Sequence, residues 1–179
     1  MNASDVTLYA SIIAASVAIL NLIISAVVKR GEEARAVVRQ AVASDLNEVG
    51  RLIHETIALS VTQFKAKSDD AYKERSEKAR EAASRLKEKR LNVRYSLWGL
   101  DSAFRDLSRL PDWSAHAKLE EEARDAILTN GSKLGDSLDR VVRKVYVDGR
   151  QASCVDVFRV ERSRKRLRKS YEKFQQSDL

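Results

Sequence analysis

The first side chains in the sequence that could do chemistry together are His54 and Glu55. They open the H-E-x-x-H pattern, in which two histidines one helical turn apart hold zinc while the glutamate acts as base. The place of the second histidine is taken by Ala58, so the pattern is broken. His54 and His116 are the only two histidines, which excludes a histidine-rich metal site, and His54 reads as a residue flanking an apolar stripe. Cys154 is the only cysteine, so no disulfide can form within the chain. With no activating group near it in sequence, it is expected to be a small buried apolar residue, as suits a reducing compartment. Gly131 to Gly135 lacks the Lys-Ser/Thr ending and the preceding strand of a phosphate loop, and no E-x-x-H pair suggests a di-iron bundle. The expectation is therefore no enzyme, no metal and no cofactor.

One chemical capacity is left, which is anion recognition. The run from Arg159 to Lys169, RVERSRKRLRK, places Arg159, Arg162, Arg164, Lys165, Arg166, Arg168 and Lys169 on one segment. Three fates compete for it. It could grip anionic lipid headgroups, at about 1 kcal/mol per basic residue near a surface. It could bind nucleic acid phosphates, although no base-reading or stacking motif accompanies it. It could also be neutralised internally by the acidic run Glu120, Glu121, Glu122 and Asp125. A formal net charge of +7 is compatible with lipid and with nucleic acid alike.

The elements that must position this segment follow from composition. Charged residues make up 33 % and aromatics 6 %, with one Pro and six Gly, a balance typical of long helices with wide solvated faces. The reading is an all-α chain: a single N-terminal transmembrane helix followed by an antiparallel bundle of four to five helices in one domain.

The proposed span is residues 6–28, which contain no charge between Asp5 and Lys29. At about 1.5 Å per residue this length matches a hydrocarbon layer roughly 30 Å thick. A cleaved signal peptide fits less well, because no Lys or Arg precedes the run and it exceeds the roughly 7 to 15 residues of a typical signal core. A buried core helix would seldom run so long without charge. Lys29, Arg30, Arg35 and Arg39 follow the exit, so the positive-inside rule puts residues 1–5 outside and residues 29–179 in the cytoplasm. Within the span, Ala10, Ala14, Ala18, Asn21 and Ser25 share one face and could let two helices associate, with Asn21 bonding across the contact.

After the span Gly31 offers a hinge. A stripe from Ala34 through Val38, Val42, Leu46, Val49, Ile53, Ile57 and Val61 to Phe64 predicts a long helix over about 32–67, widened by Val37, Ala41, Leu52 and Leu59. A heptad-like seam of Tyr72, Ala79, Ala83 and Leu86, then Val93, Leu97, Leu100, Phe104 and Leu107, predicts a second long helix over about 69–110. Its charged, alanine-rich first half is expected to project as a thin tip that either docks a partner helix or packs on its own neighbour.

Pro111 ends that helix, and Trp98 and Trp113 are expected to pack around the corner. A helix over 114–129, with Leu119 on its apolar side, is expected to stop at Asn130-Gly131 and restart at Ser132. Residues 145–157 could form a hairpin about Asp148-Gly149. The preferred reading is a helix end followed by a capping box at Ser153 and Asp156, because Val157, Val160, Leu167, Tyr171 and Phe174 keep a helical repeat. The functional expectation is a membrane-tethered scaffold or adaptor for protein partners that can self-associate. The alternative is a membrane-tethered binder of nucleic acid or anionic lipid acting through the basic final helix.

Overall fold

A computed structural model describes the backbone of residues 3–177 and the side chains of residues 16–33, 36–37 and 40–176. Among the described residues the chain is all-α, with no strand. Its helices are α1 (Ala3–Thr62), a 3-10 turn (Gln63–Lys65), α2 (Asp69–Lys89), α3 (Asp101–Ser108), α4 (Leu110–His116), α5 (Glu121–Asp148) and α6 (Cys154–Ser177). The expected four to five bundle helices become more numerous because the second long helix is cut into pieces. The chain divides into two compact units, Met1–Val38 and Arg39–Leu179.

In the first unit Gly31 lies inside α1 and makes no break. Every described side chain of the expected span, from Ser16 to Val28, is exposed. Among the described residues no helix is long and apolar enough to cross a membrane. The first ten side chains of the expected span, residues 6–15, lie outside the described residues, and so do those of Ala34, Arg35, Val38 and Arg39.

The second unit is built on the rest of α1. Leu46, Val49, Leu52 and Ile53 are fully buried, and Val42 and Ile57 pack at their edge, as the stripe predicts. Helix α2 runs antiparallel to it, with Lys89 Nζ 2.9 Å from Glu48 and Arg75 donating to the Thr62 carbonyl at 3.0 Å. Ala79, Ala82 and Ala83 are buried, so α2 is not a projecting tip. Its narrow alanine face lets it lie close on its own neighbours. Ser68 caps it by accepting from the Ala71 amide.

The helix expected to reach residue 110 ends at Lys89. From Leu91 to Arg94 the amides bond to carbonyls three residues back, and Gly99 takes a left-handed conformation at φ 79°. The Arg90 guanidinium bonds the Asp101 carbonyl at 3.2 Å and its carboxylate at 2.6 Å, which ties the two ends of the turn together. The seam itself survives, because Val93, Leu97, Leu100, Phe104 and Leu107 are all buried. Burial was preserved while the helical repeat was not, and the turn leaves Tyr95 and Trp98 on the surface. Trp98 therefore does not pack the corner as expected. Trp113 does, stacked on Tyr171 with ring centroids 4.7 Å apart.

Pro111 sits in the first turn of α4, where its missing amide costs nothing. Leu119 falls in the short turn before α5 and is almost wholly exposed, contrary to its expected place on an apolar face. Asn130 and Gly131 do not end a helix, for α5 passes straight through them and through Gly135. A Cβ at Gly131 would overlap both methyls of Leu110, and one at Gly135 would overlap Ile57. These glycines serve close approach between helices and not termination. Helix α5 stops where expected, at Gly149, in the left-handed conformation at φ 61°.

A candidate anion-binding surface on helices α5 and α6

Helix α6 starts as the sequence indicates. The Ser153 hydroxyl accepts from the Asp156 amide at 3.2 Å, and the Asp156 carboxylate accepts from the Ser153 amide at 3.2 Å, which is a reciprocal capping box. Lys144 of α5 adds an ion pair to Asp156 at 2.8 Å. The bond to Lys144, and then those to Ser153, hold the Asp156 carboxyl below the usual aspartate range. Val160, Leu167 and Phe174 form the buried face of α6, which settles residues 145–157 as a helix end and a helix start. Cys154 is exposed and not buried, because it lies on the side of α6 away from Val160 and Leu167.

The seven basic residues named from the sequence divide into two groups. Arg164 and Arg168 reach inward to Asp106 of α3, at 3.1 and 3.0 Å from the same carboxylate oxygen. Asp106 is only 1 % exposed, so burial of its charge is stabilised by the two guanidinium groups. Arg164 also binds Glu161 at 2.6 and 2.7 Å, and that pairing raises the guanidinium pKa further. These two arginines tie α6 to α3. The acid that takes them is Asp106, and not the Glu120 to Asp125 run considered from the sequence. Its signal in the sequence was a lone carboxylate beside Phe104 and Leu107 in an apolar seam.

Arg159, Arg162, Lys165, Arg166 and Lys169 are exposed and make no ion pair among the described residues. The antiparallel partner α5 is stitched to α6 by Asn130 to Ser170 at 2.7 Å, Ser137 to Ser163 at 3.0 Å and Lys144 to Asp156. Lys133 and Arg140 of α5, which the sequence reading passed over, are also exposed and unpaired among the described residues. They lie four residues before and three after Ser137, while Arg159 and Arg166 lie four before and three after Ser163. Helical spacing sets each pair on one side of its serine.

The two ends of α6 differ in what faces them. Beside its C-terminal half lies a groove of about 730 Å³, with Arg166, Lys169 and Lys173 on one wall and Glu120, Glu121 and Glu122 on the other. No ion pair crosses this groove among the described residues, and Glu121 is taken by Arg124. Beside the N-terminal half, Asp136 and Asp139 lie between Lys133 and Arg140 in sequence; Asp139 is held by His54 and Arg143, and neither acid pairs with Lys133 or Arg140 among the described residues.

Elsewhere, His54 lies 3.3 Å from Asp139, which also holds Arg143 at 2.7 Å, and no group of residues suited to a metal occurs among the described residues. Of the expected association face, Ala18, Asn21 and Ser25 are exposed, whereas the side chains of Ala10 and Ala14 lie outside the described residues. Comparison with protein-family models, with characterised proteins and with solved structures finds no match for this chain.

Proposed function

We propose that the protein is a membrane-tethered helical scaffold, in which residues 6–28 anchor the chain and the second unit presents a surface to protein partners. The observation that carries this reading is the exposure of the apolar residues in α1. Val17, Ile19, Leu20, Leu22, Ile23, Ile24, Val27 and Val28 are each exposed by between 52 and 70 %, and they point to all sides of the helix. A helix that is apolar all round needs an apolar surrounding, and in water eight such side chains would be costly. An uncharged run of this length is what a bilayer accepts.

In this reading Lys29 and Arg30 mark the cytoplasmic boundary and the helical body lies inside the cell. Ala10, Ala14, Ala18, Asn21 and Ser25 form a contact between two spans, which makes the scaffold a self-associating one. Tyr95 and Trp98, 85 and 61 % exposed on the turn between α2 and α3, are the aromatic anchors offered to a protein partner. No catalytic step and no cofactor enters this role.

Alkaline carbonate extraction of membranes containing the full chain is the test. The expected result is retention with the bilayer, together with resistance of the helical body to protease added outside intact cells. Release into the wash, or digestion from outside, overturns the tether or its orientation. A bilayer reporter of helix association checks the contact, with Ala14→Leu expected to weaken the signal.

A further inference from the structure

The N-terminal half of α6 carries a surface that scaffolding does not use. Val155 and Phe158 are 65 and 74 % exposed, although both are apolar. Four residues after each comes an arginine, Arg159 and Arg162, so the two kinds of side chain share one helical face. Across the Ser137–Ser163 contact this face continues onto Lys133 and Arg140 of α5. Elsewhere in the second unit some cations have partners, as Lys89 has Glu48, Arg90 has Asp101, Arg124 has Glu121 and Arg164 has Asp106, while others such as Lys87, Arg105 and Arg109 have none among the described residues. Here they have none among the described residues.

We propose that this face docks onto the anionic headgroups of a phospholipid surface. Arg159, Arg162, Lys133 and Arg140 take the phosphates, and Phe158 and Val155 enter the boundary between headgroups and acyl chains. A strip of cations beside exposed apolar side chains on a surface helix is the pattern of interfacial binding. Nucleic acid fits the same face less well, because single strands call for a series of stacking rings and a duplex engages cations alone, which leaves exposed Phe158 and Val155 without a role. The contact is separate from the proposed anchor and would form whether or not residues 6–28 span a bilayer.

The sole cysteine gives a specific readout, since Cys154 is exposed at the first residue of α6, one turn from Phe158. The full chain, labelled there with a polarity-sensitive dye, is assembled with lipid nanodiscs of neutral phosphatidylcholine or of phosphatidylcholine with phosphatidylserine. Co-elution with neutral discs reports the anchor, and the dye reports the docking face. The expected result is a blue shift on anionic discs alone, reduced by added salt. With Arg159→Glu, Arg162→Glu and Arg140→Glu combined, binding of the dye-bearing face is expected to weaken on the order of a hundredfold. Arg85→Glu, on the opposite charge-paired helix α2, is expected to change nothing, and circular dichroism checks that each variant is folded. Identical spectra on the two kinds of disc overturn the proposal even if the chain co-elutes with both. A shift on anionic discs without co-elution on neutral ones overturns the anchor and keeps the docking face. An equal shift with inorganic phosphate, or tighter binding of a short DNA duplex with the same arginine dependence, overturns the lipid assignment.

Discussion

The two ends of helix α1 carry similar side chains and have opposite surroundings. From Val17 to Val28 its Val, Ile and Leu residues are exposed by half or more, whereas Leu46, Val49, Leu52 and Ile53 are exposed by 1 % at most. Composition does not separate the two stretches as well as arrangement does. The second alternates apolar residues with Glu48, Arg51 and Glu55, which leaves one face for solvent and one for partners. The first has no polar face to turn outward. One-sided hydrophobicity lets the second stretch bury one face and solvate the other, whereas an apolar surface on all sides leaves the first with no face suited to water.

The same substitution made in both stretches gives the sharpest test. Leu52→Asp buries a carboxylate without a partner and is expected to abolish cooperative folding of the second unit, seen as loss of the urea transition by circular dichroism. Leu22→Asp is expected to leave that transition in place and to weaken membrane retention instead. An equal loss of folding from both would break the distinction.

Next in size is Asp106→Ala, which leaves Arg164 and Arg168 without their shared acid. Arg164 keeps Glu161 and Arg168 is 45 % exposed, so the expected cost is about 1 to 3 kcal/mol in urea unfolding. A cost near that of an exposed pair such as Arg85–Glu81, about 0 to 1 kcal/mol, would mean that α6 is held by its apolar face alone.

Two glycines continue the comparison on a smaller scale. Gly131→Val pushes into fully buried Leu110 and is expected to cost about 1 to 3 kcal/mol. Gly31→Ala meets nothing within 4 Å and is expected to favour the helix by roughly 0.5 to 1 kcal/mol. Differential scanning calorimetry of the two variants should show shifts of opposite sign or, for Gly31→Ala, no shift.

The smallest effects belong to the start of α6. Ser153→Ala is expected to cost about 1 kcal/mol through loss of the cap. Because Lys144 and Ser153 depress the Asp156 pKa in the folded chain, its contribution is complete above the unfolded aspartate value, near about pH 4, and is lost as the pH falls below it. Asp156→Asn should therefore flatten the acid limb of a stability-against-pH curve. An unchanged limb would show that the carboxylate is not coupled to folding.

Much of this architecture could be read from residue spacing, and the failures share a cause. The stripe of α1, the cap at Ser153 and Asp156 and the repeat of α6 are local patterns, and local physics decides them. Gly131 was misread because a glycine that ends a helix and a glycine that admits a neighbour look alike until the neighbour, Leu110, is known. The 69–110 seam was misread because Val93 and Leu97 keep a heptad spacing while sitting on tight turns. Trp98, Leu119 and Cys154 are exposed because the chain bends or begins a helix beside them, which their identities do not encode. On the candidate surface, five of the seven residues named from the sequence are free of ion pairs among the described residues, while Arg164 and Arg168 are engaged by an acid 58 positions or more away. The lone carboxylate in the apolar seam marks Asp106 as needing a partner, but at such separation the linear pattern does not say which cation supplies it.

Asp106 acts as a key acts in a shaft. By gripping Arg164 and Arg168 on one flank of α6, it resists roll of that cylinder about its own long axis, so the backbone positions from which the basic side chains of the far flank project stay fixed. Whatever meets them finds the row of attachment points already set, and only the side chains themselves are left to order at the moment of encounter.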